Sequence, residues 1–252
     1  MTSEGKTYTR DPDGLSCLSC PVRSLCLTAG LPLEEMALLS DIVRPAITLR
    51  KRETLMAQGT VLTSLFAVRT GSLKQVVTTD SDEYLVTALC LPGELAGLDA
   101  IAKGVYPGSL VALETTTVCE IPYGQLVQLC DRSAGVCQRI QRSLSQELHD
   151  ERLSLHFLLH RIAEVRLACF LAAISERFRR RGYSPHRFQL AMSRSDMASY
   201  LGLTPETVGR VLVKYQQQQL LELQGREFRI LDLERLNRLA EANGRRHRQQ
   251  FS

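Results

Sequence analysis

The apolar residues of this 252-residue chain change their period at Gly135, and that change limits the folds open to it. From about Ile47 to Pro122 they come in short runs punctuated by glycine. Leu65-Phe-Ala-Val68, Leu73 to Val77, Leu85 to Leu91 and Leu110 to Leu113 are rich in strand formers, and Gly59, Gly71, Gly93 and Gly97 mark turns. Many short strands at roughly even spacing predict a small antiparallel roll or barrel. Thr117-Val-Cys119-Glu-Ile-Pro122 reads as its last strand. Past Gly135, Val136, Ile140, Leu144, Leu148, Leu155, Leu158 and Ile162 recur at helical steps with one gap, at Glu151. The spacing predicts a long helix with a narrow, coiled-coil-like apolar stripe. Across a twofold axis Ile140, Leu144, Leu148, Leu155 and Leu158 would form a dimer interface. Glu151 would then face its own copy, two like charges in a partly dry contact. A single polar seam residue keeps such an association weak and adjustable.

The chain beyond Glu164 reads as a separate helical domain. Leu33 to Leu39 and Glu164 to Arg180 are amphipathic. Ser193 to Leu201 predicts a short helix, Gly202 a turn, and Thr204 to Tyr215 a second helix. Thr204 suits the N-cap, Pro205 the first helical position and Glu206 the positive end of the dipole. Two short helices joined through a glycine turn form a helix-turn-helix, and Leu221 to Ile230 follows as a hairpin wing. Residues 1–160 carry 14 Lys+Arg against 18 Asp+Glu, whereas residues 161–252 carry 17 against 9. A charge of +8 on the last third is the electrostatic footprint of a domain that meets a polyanion. Glu206 and Arg210 lie four apart on one helix face. In a major groove Arg210 can fork onto guanine O6 and N7 while Glu206 accepts from cytosine N4, so the pair reads one G·C step of double-stranded DNA.

Cys17-Leu-Ser-Cys20-Pro-Val-Arg-Ser-Leu-Cys26 places three thiols in ten residues, a spacing that can converge on a soft metal centre. An iron–sulfur or zinc site needs a fourth ligand, and five more cysteines are available. No run approaches the length of a membrane span, and Met1 to Tyr8 lacks the apolar core of a signal peptide. The expected compartment is therefore the reducing cytoplasm, where eight cysteines serve ligation or redox sensing rather than a disulfide framework. A redox enzyme is disfavoured, because no histidine partners the cysteines and no G-x-G-x-x-G follows a strand. Cys90, Cys130, Cys137 and Cys169 read as packing residues, and His156 and His160 as solvated helix surface.

With these residues in place the sequence resembles the FNR branch of the CRP/FNR transcription regulators. The resemblance runs from about Cys17 to Leu239. It is carried by the Cys17/Cys20/Cys26 set, Cys119 at the fourth-ligand position, Gly93-Glu-Leu95 with Gly97-Leu-Asp-Ala-Ile101, and Leu201-Gly-Leu-Thr-Pro-Glu206-Thr-Val-Gly-Arg210. It implies an α+β fold: a cysteine-rich cluster-binding segment (1–30), an antiparallel β-roll like those that bind cyclic nucleotides (31–134), a dimerisation helix (135–162) and a winged helix-turn-helix (163–252). It further implies an oxygen-labile [4Fe-4S] cluster on Cys17, Cys20, Cys26 and Cys119, with an active homodimer on palindromic DNA and an inactive monomer after oxygen. A zinc or dithiol switch on the same cysteines, or nitric oxide as the signal, is the alternative. Ser193, Arg194, Thr204 and Gly209 join Glu206 and Arg210 as the implied DNA contacts. The acidic stretch Asp80-Ser-Asp82-Glu83 is the implied contact for RNA polymerase. The phosphate cradle of cyclic-AMP receptors is replaced by Tyr106-Pro-Gly-Ser109-Leu, with no arginine, so no cyclic nucleotide is expected. Gly209 stands where the branch usually has serine, and Glu151 where it has aspartate. Pro21 removes a backbone N–H beside Cys20 that could otherwise bond a cluster sulfur.

Overall fold

The computed structural model describes residues 9–10, 16–79, 84–159 and 162–241. The acidic stretch 80–83, His160, the side chain of His156 and the basic tail 245–248 lie outside what it describes. The chain divides into two compact units, 1–147 and 148–252.

The first unit holds strand β1 (Thr9–Arg10), helix α1 (Leu33–Ile42) and eight strands: β2 (Arg44–Leu49), β3 (Thr54–Met56), β4 (Ser64–Thr70), β5 (Leu73–Thr78), β6 (Tyr84–Cys90), β7 (Leu95–Ala96), β8 (Ser109–Ala112) and β9 (Thr116–Pro122). Helix α2 (Tyr123–Cys130) and the start of α3 (Ala134–Leu159) complete it. The strands form two antiparallel sheets, ordered β1-β2-β9-β4-β7 and β3-β8-β5-β6. Side-chain alternation gives the larger sheet two different faces. Phe66 and Val68 of β4, with Val118 of β9, join Ile47, Leu49, Leu73, Leu110 and Tyr106 in a core between the sheets. Leu65 and Ala67 of β4 and Ile121 of β9 turn the other way, onto Leu39 of α1, Leu126 and Leu129 of α2 and Val136 of α3. Cys119 shares the parity of Ile121 and so faces this helical layer. Between Cys119 and Ile121, Glu120 is buried and paired with Arg44 at 2.8 Å, and it accepts from the Ser64 hydroxyl at 2.9 Å.

Tyr106 is buried in the roll and donates its hydroxyl proton to the Ser64 carbonyl. Gly97 lies against its ring: the backbone there has φ +91°, and a Cβ would stand 2.9 Å from the ring edge. Gly97→Ala is therefore expected to cost about 1–2 kcal/mol from the left-handed backbone alone. Thermal unfolding followed by circular dichroism checks it, with a lowered midpoint as the expected result.

The second unit continues α3 and adds α4 (Ala163–Arg180), β10 (Arg187–Gln189), α5 (Arg194–Leu201), α6 (Pro205–Gln217), β11 (Leu221–Gln224), β12 (Glu227–Ile230) and α7 (Leu233–Glu241). Its core runs along α4, through Leu167, Ala168, Phe170, Leu171 and Ile174. Phe178, Phe188 and Phe228 stack in series, with centroids 5.2 and 5.8 Å apart. The expected two-stranded wing has a third strand, β10, paired to β12 through Phe188 and Phe228. The long helix also ends earlier than the apolar stripe predicts. Ile162 has extended backbone (φ −92°, ψ 120°) and caps α4, so it lies outside α3. Among the described residues no helix is long and apolar enough to cross a membrane.

Candidate functional site

The cysteine segment is a chain of tight turns pinned to its surroundings. Ser16 caps a 3-10 turn over Cys17–Ser19. The Cys17 N–H donates to Ser40 Oγ of α1 at 3.3 Å. Arg23 reaches back to the Leu18 carbonyl at 2.7 Å, and the Cys26 N–H donates to the Val22 carbonyl at 3.1 Å. Beyond it Leu27 is buried in the helical layer. Leu25 leans on Gly93, where a Cβ would lie 2.5 Å from the leucine's own Cβ. Only a residue without a side chain lets the loop approach the sheet this closely.

These turns bring Cys17, Cys20 and Cys26 to one cavity of about 30 Å³ whose wall also includes Cys119. Val22, Leu39, Val43, Ala67 and Ile121 make the rest of the wall apolar, and Arg23 and Arg69 add positive charge. Ala67 pairs with Cys119 across β4 and β9, so the strand neighbour is small where the thiol needs room. Burial pushes the Cys26 thiol up to about 12, and the charges of Cys119, Cys17 and Cys20 push in the same direction. Burial likewise raises Cys119 to about 11, helped by Cys17 and Cys20 and opposed by Arg69. Cys17 is raised by burial against the hydrogen bond from Ser40. Cys17, Cys26 and Cys119 thus feel neighbouring sulfurs in a poorly solvated site, where ionising them together calls for a cation among them. Among the described residues no three of His, Cys, Asp and Glu stand close enough to hold a single ion. The donor set itself is four thiols and no carboxylate or imidazole, the chemistry an iron–sulfur cluster takes. In a four-iron cluster each iron takes its own thiolate, so the sulfurs need not converge on a point.

Arg139 is the residue that sequence reasoning missed. It lies beside Ile140 on α3 and donates from Nη2 to the Cys26 carbonyl at 2.9 Å, while its buried Nε has no partner. The acceptor is a main-chain oxygen, which no side-chain pattern announces. Ile140 itself is partly buried against the helical layer. The exposed part of the predicted stripe begins at Leu144, and Leu144, Leu148, Leu155 and Leu158 are 39 to 61% exposed. Glu151 is exposed within that stripe.

In the second unit Ser193 caps α5 in a reciprocal box: its hydroxyl accepts from the Asp196 N–H at 3.0 Å, and the Asp196 carboxylate accepts from the Ser193 N–H at 3.0 Å. The Ser193 hydroxyl is thus engaged by its own helix. Gly202, at φ 60°, turns the chain, and Arg166 braces that turn by donating to the Leu201 and Gly202 carbonyls at 3.0 Å each. Thr204 caps α6 through the Thr207 N–H at 3.2 Å, with Pro205 in the first turn. Val208, Val211, Leu212 and Tyr215 face the core. The 3.6-residue period therefore leaves Glu206 and Arg210 exposed on the opposite side. Glu206, Gly209 and Arg210 share an open surface groove with Arg194 and Lys214. The backbone amide of Glu206 itself, then the Thr204 hydroxyl and the Arg210 charge, hold Glu206 below the usual carboxylate range. Arg210 donates to the Thr207 hydroxyl at 3.2 Å.

Residues 165–239 match the family model of the Crp-like helix-turn-helix domain, and residues 46–133 that of the cyclic nucleotide-binding domain. Over 216 residues the chain is 42% identical to the transcriptional activator protein FnrA of Stutzerimonas stutzeri, covering 86% of this chain and 88% of that one. The chain belongs to the FNR branch of the CRP/FNR transcription regulators. It is also 35% identical to the fumarate and nitrate reduction regulatory protein of Escherichia coli K12, over 90% of each chain. FixK2 from Bradyrhizobium japonicum shares the fold with a TM-score of 0.69, at 24% identity over 79% of this chain and 97% of that one. As an FNR-type regulator the chain binds DNA through its Crp-like helix-turn-helix domain. The β-roll and helix-turn-helix expected from its sequence are the architecture observed.

Proposed function

We propose that this regulator is oxygen-responsive: Cys17, Cys20, Cys26 and Cys119 hold a [4Fe-4S] cluster, and the loaded chain pairs along α3 as a homodimer on a palindromic DNA site in the cytoplasm. One observation carries this, the gathering of four thiols from a loop and a strand on a single apolar cavity. The bound cluster supplies an oxygen-labile metal–thiolate centre. The chain does the rest. Cys119 is held on a rigid strand, while Cys17, Cys20 and Cys26 ride on turns tied to α1 by Ser40 and to α3 by Arg139. Loss of the loop's position removes packing that offsets Glu151–Glu151 repulsion across the dimer axis. A coupling of about 1–3 kcal/mol between the two sites suffices for a useful switch.

On DNA, Arg210 forks onto guanine and Glu206 accepts from cytosine, while Arg194, Ser193 and Thr204 approach the backbone and Gly209 leaves the outer base uncontacted by a side chain. Residues 80–83 offer an acidic contact for RNA polymerase. The roll takes no cyclic nucleotide: Tyr106 fills the interior, and Tyr106 to Leu110 brings no cation for a phosphate.

The test is purification without air, with iron, acid-labile sulfide, visible absorption and sedimentation measured before and after exposure to air. A coloured dimer that bleaches to a monomer is expected; a colourless protein, equally dimeric in both samples, refutes the proposal. Zinc without sulfide would identify the alternative centre. A further expectation concerns Arg139. Its hydrogen bond to Cys26 is charge-assisted, a class worth about 1.5–3 kcal/mol. Arg139→Met should therefore bleach at least several-fold faster in air, as followed by visible absorption.

A further inference from the structure

Two cysteines outside the cavity are placed as a pair. Cys130 is the last residue of α2, and Cys137 lies in the first turn of α3, with Asp131, Arg132 and Ser133 between the helices. The junction is tightly held. The Arg132 and Ser133 N–H groups both donate to the Leu129 carbonyl, at 3.0 and 2.9 Å, and the Cys137 N–H donates to the Ser133 carbonyl at 3.2 Å. Leu129 and Val136, the immediate neighbours, are anchored in the helical layer. Their burial fixes the two helix ends, so that both thiols emerge at the rim, partly exposed. There the Cys130 thiol lies close enough to Cys137 to feel the charge of its sulfur. Cys130 packs against the helical layer, as expected of it, yet both thiols stay partly exposed, and neither lines the cavity of the other four.

We propose that Cys130 and Cys137 form a second, iron-independent redox site, a dithiol that closes to a disulfide by exchange with low-molecular-weight disulfides of the glutathione class. The Cys137 thiolate, its proton lost to water, attacks one sulfur of the small disulfide. A bond forms to Cys137, the small S–S bond breaks, and one small thiolate leaves and takes a proton. Cys130 then gives up its proton and attacks the Cys137 sulfur of the mixed disulfide, expelling the second small thiol. The protein pair loses two electrons and two protons, and one small disulfide is reduced to two thiols. Burial and the adjacent Cys137 sulfur raise the Cys130 thiol to about 11. Cys130 therefore stays protonated through the first step, which leaves the opening attack to Cys137. The product ties the end of α2 to the base of α3.

The site is tested on the purified full-length chain, treated with oxidised glutathione, alkylated and digested after arginine and glutamate. Cleavage at Glu120 separates Cys119 from Cys130, and cleavage at Arg132 separates Cys130 from Cys137. The expected product joins the peptides Ile121–Arg132 and Ser133–Arg139, two hydrogens lighter than their sum and released by reductant. Cys130→Ser should abolish that product and trap the glutathione mixed disulfide on Cys137; Cys137→Ser should abolish both. Recovery of Cys130 and Cys137 alkylated in the treated parent overturns the proposal, as does a mixed disulfide there that never resolves to the bridge. Because iron takes no part, the result stands apart from the fate of the cluster. Circular dichroism of each variant separates loss of the bridge from loss of the fold.

Discussion

Cys119→Ala is expected to strip the protein of iron and acid-labile sulfide and to abolish its anaerobic binding to a palindrome with a central G·C step. The other three thiols lie close together in sequence on turns, whereas Cys119 alone joins them to a rigid sheet. Removing it leaves three thiols, and burial already disfavours ionisation of Cys17 and Cys26. The centre should be lost outright rather than weakened. The fold should survive, because alanine is tolerated on β9 beside Ala67, and core substitutions of this size fall within about 0.5–3 kcal/mol. Iron and sulfide analysis, gel mobility shift without air and circular dichroism together make the measurement. A variant that keeps parental iron and parental affinity while folded would remove Cys119 from the site.

The second large effect is expected from Arg210→Ala. Arg210 is exposed and its hydrogen bond runs to the Thr207 hydroxyl, so truncation disturbs no buried contact. A bidentate contact to guanine is worth about 1–3 kcal/mol of discrimination, a factor of about 5 to 150. Affinity for a half-site carrying the G·C step should fall by that factor, while affinity for a half-site in which the step is A·T should change little. Titration of both operators at one fixed salt concentration makes the comparison, since phosphate contacts respond to salt and base contacts do not. An equal loss on both operators would make Arg210 a phosphate contact instead.

Much of this molecule could be read before any coordinates. The glycine-punctuated runs from Ile47 to Pro122 became the roll because alternation and turn chemistry are local properties. The capping signals at Thr204 and Pro205 placed α6 for the same reason, and with it the exposed faces of Glu206 and Arg210. What stayed hidden depends on groups distant in sequence or on the main chain. Arg139 bonds a carbonyl oxygen, Ser40 supports Cys17 through an amide, and Gly93 matters through the side chain it lacks. The third wing strand, β10, is only three residues long and joins the sheet through a partner some forty residues away. Cys130 and Cys137 looked like two separate small hydrophobes because helix ends, rather than periodicity, bring them together.

The parity of β9 has a further consequence. Val118 points between the sheets and Cys119 to the helical layer. A strand has only two sides, so inserting one residue ahead of Cys119 would seal the thiol inside the roll and offer Val118 to the other three, while deleting one would offer them Glu120. The proposed oxygen response therefore hangs on odd-and-even counting along a single strand, where which residue occupies a position matters less than how many positions precede it.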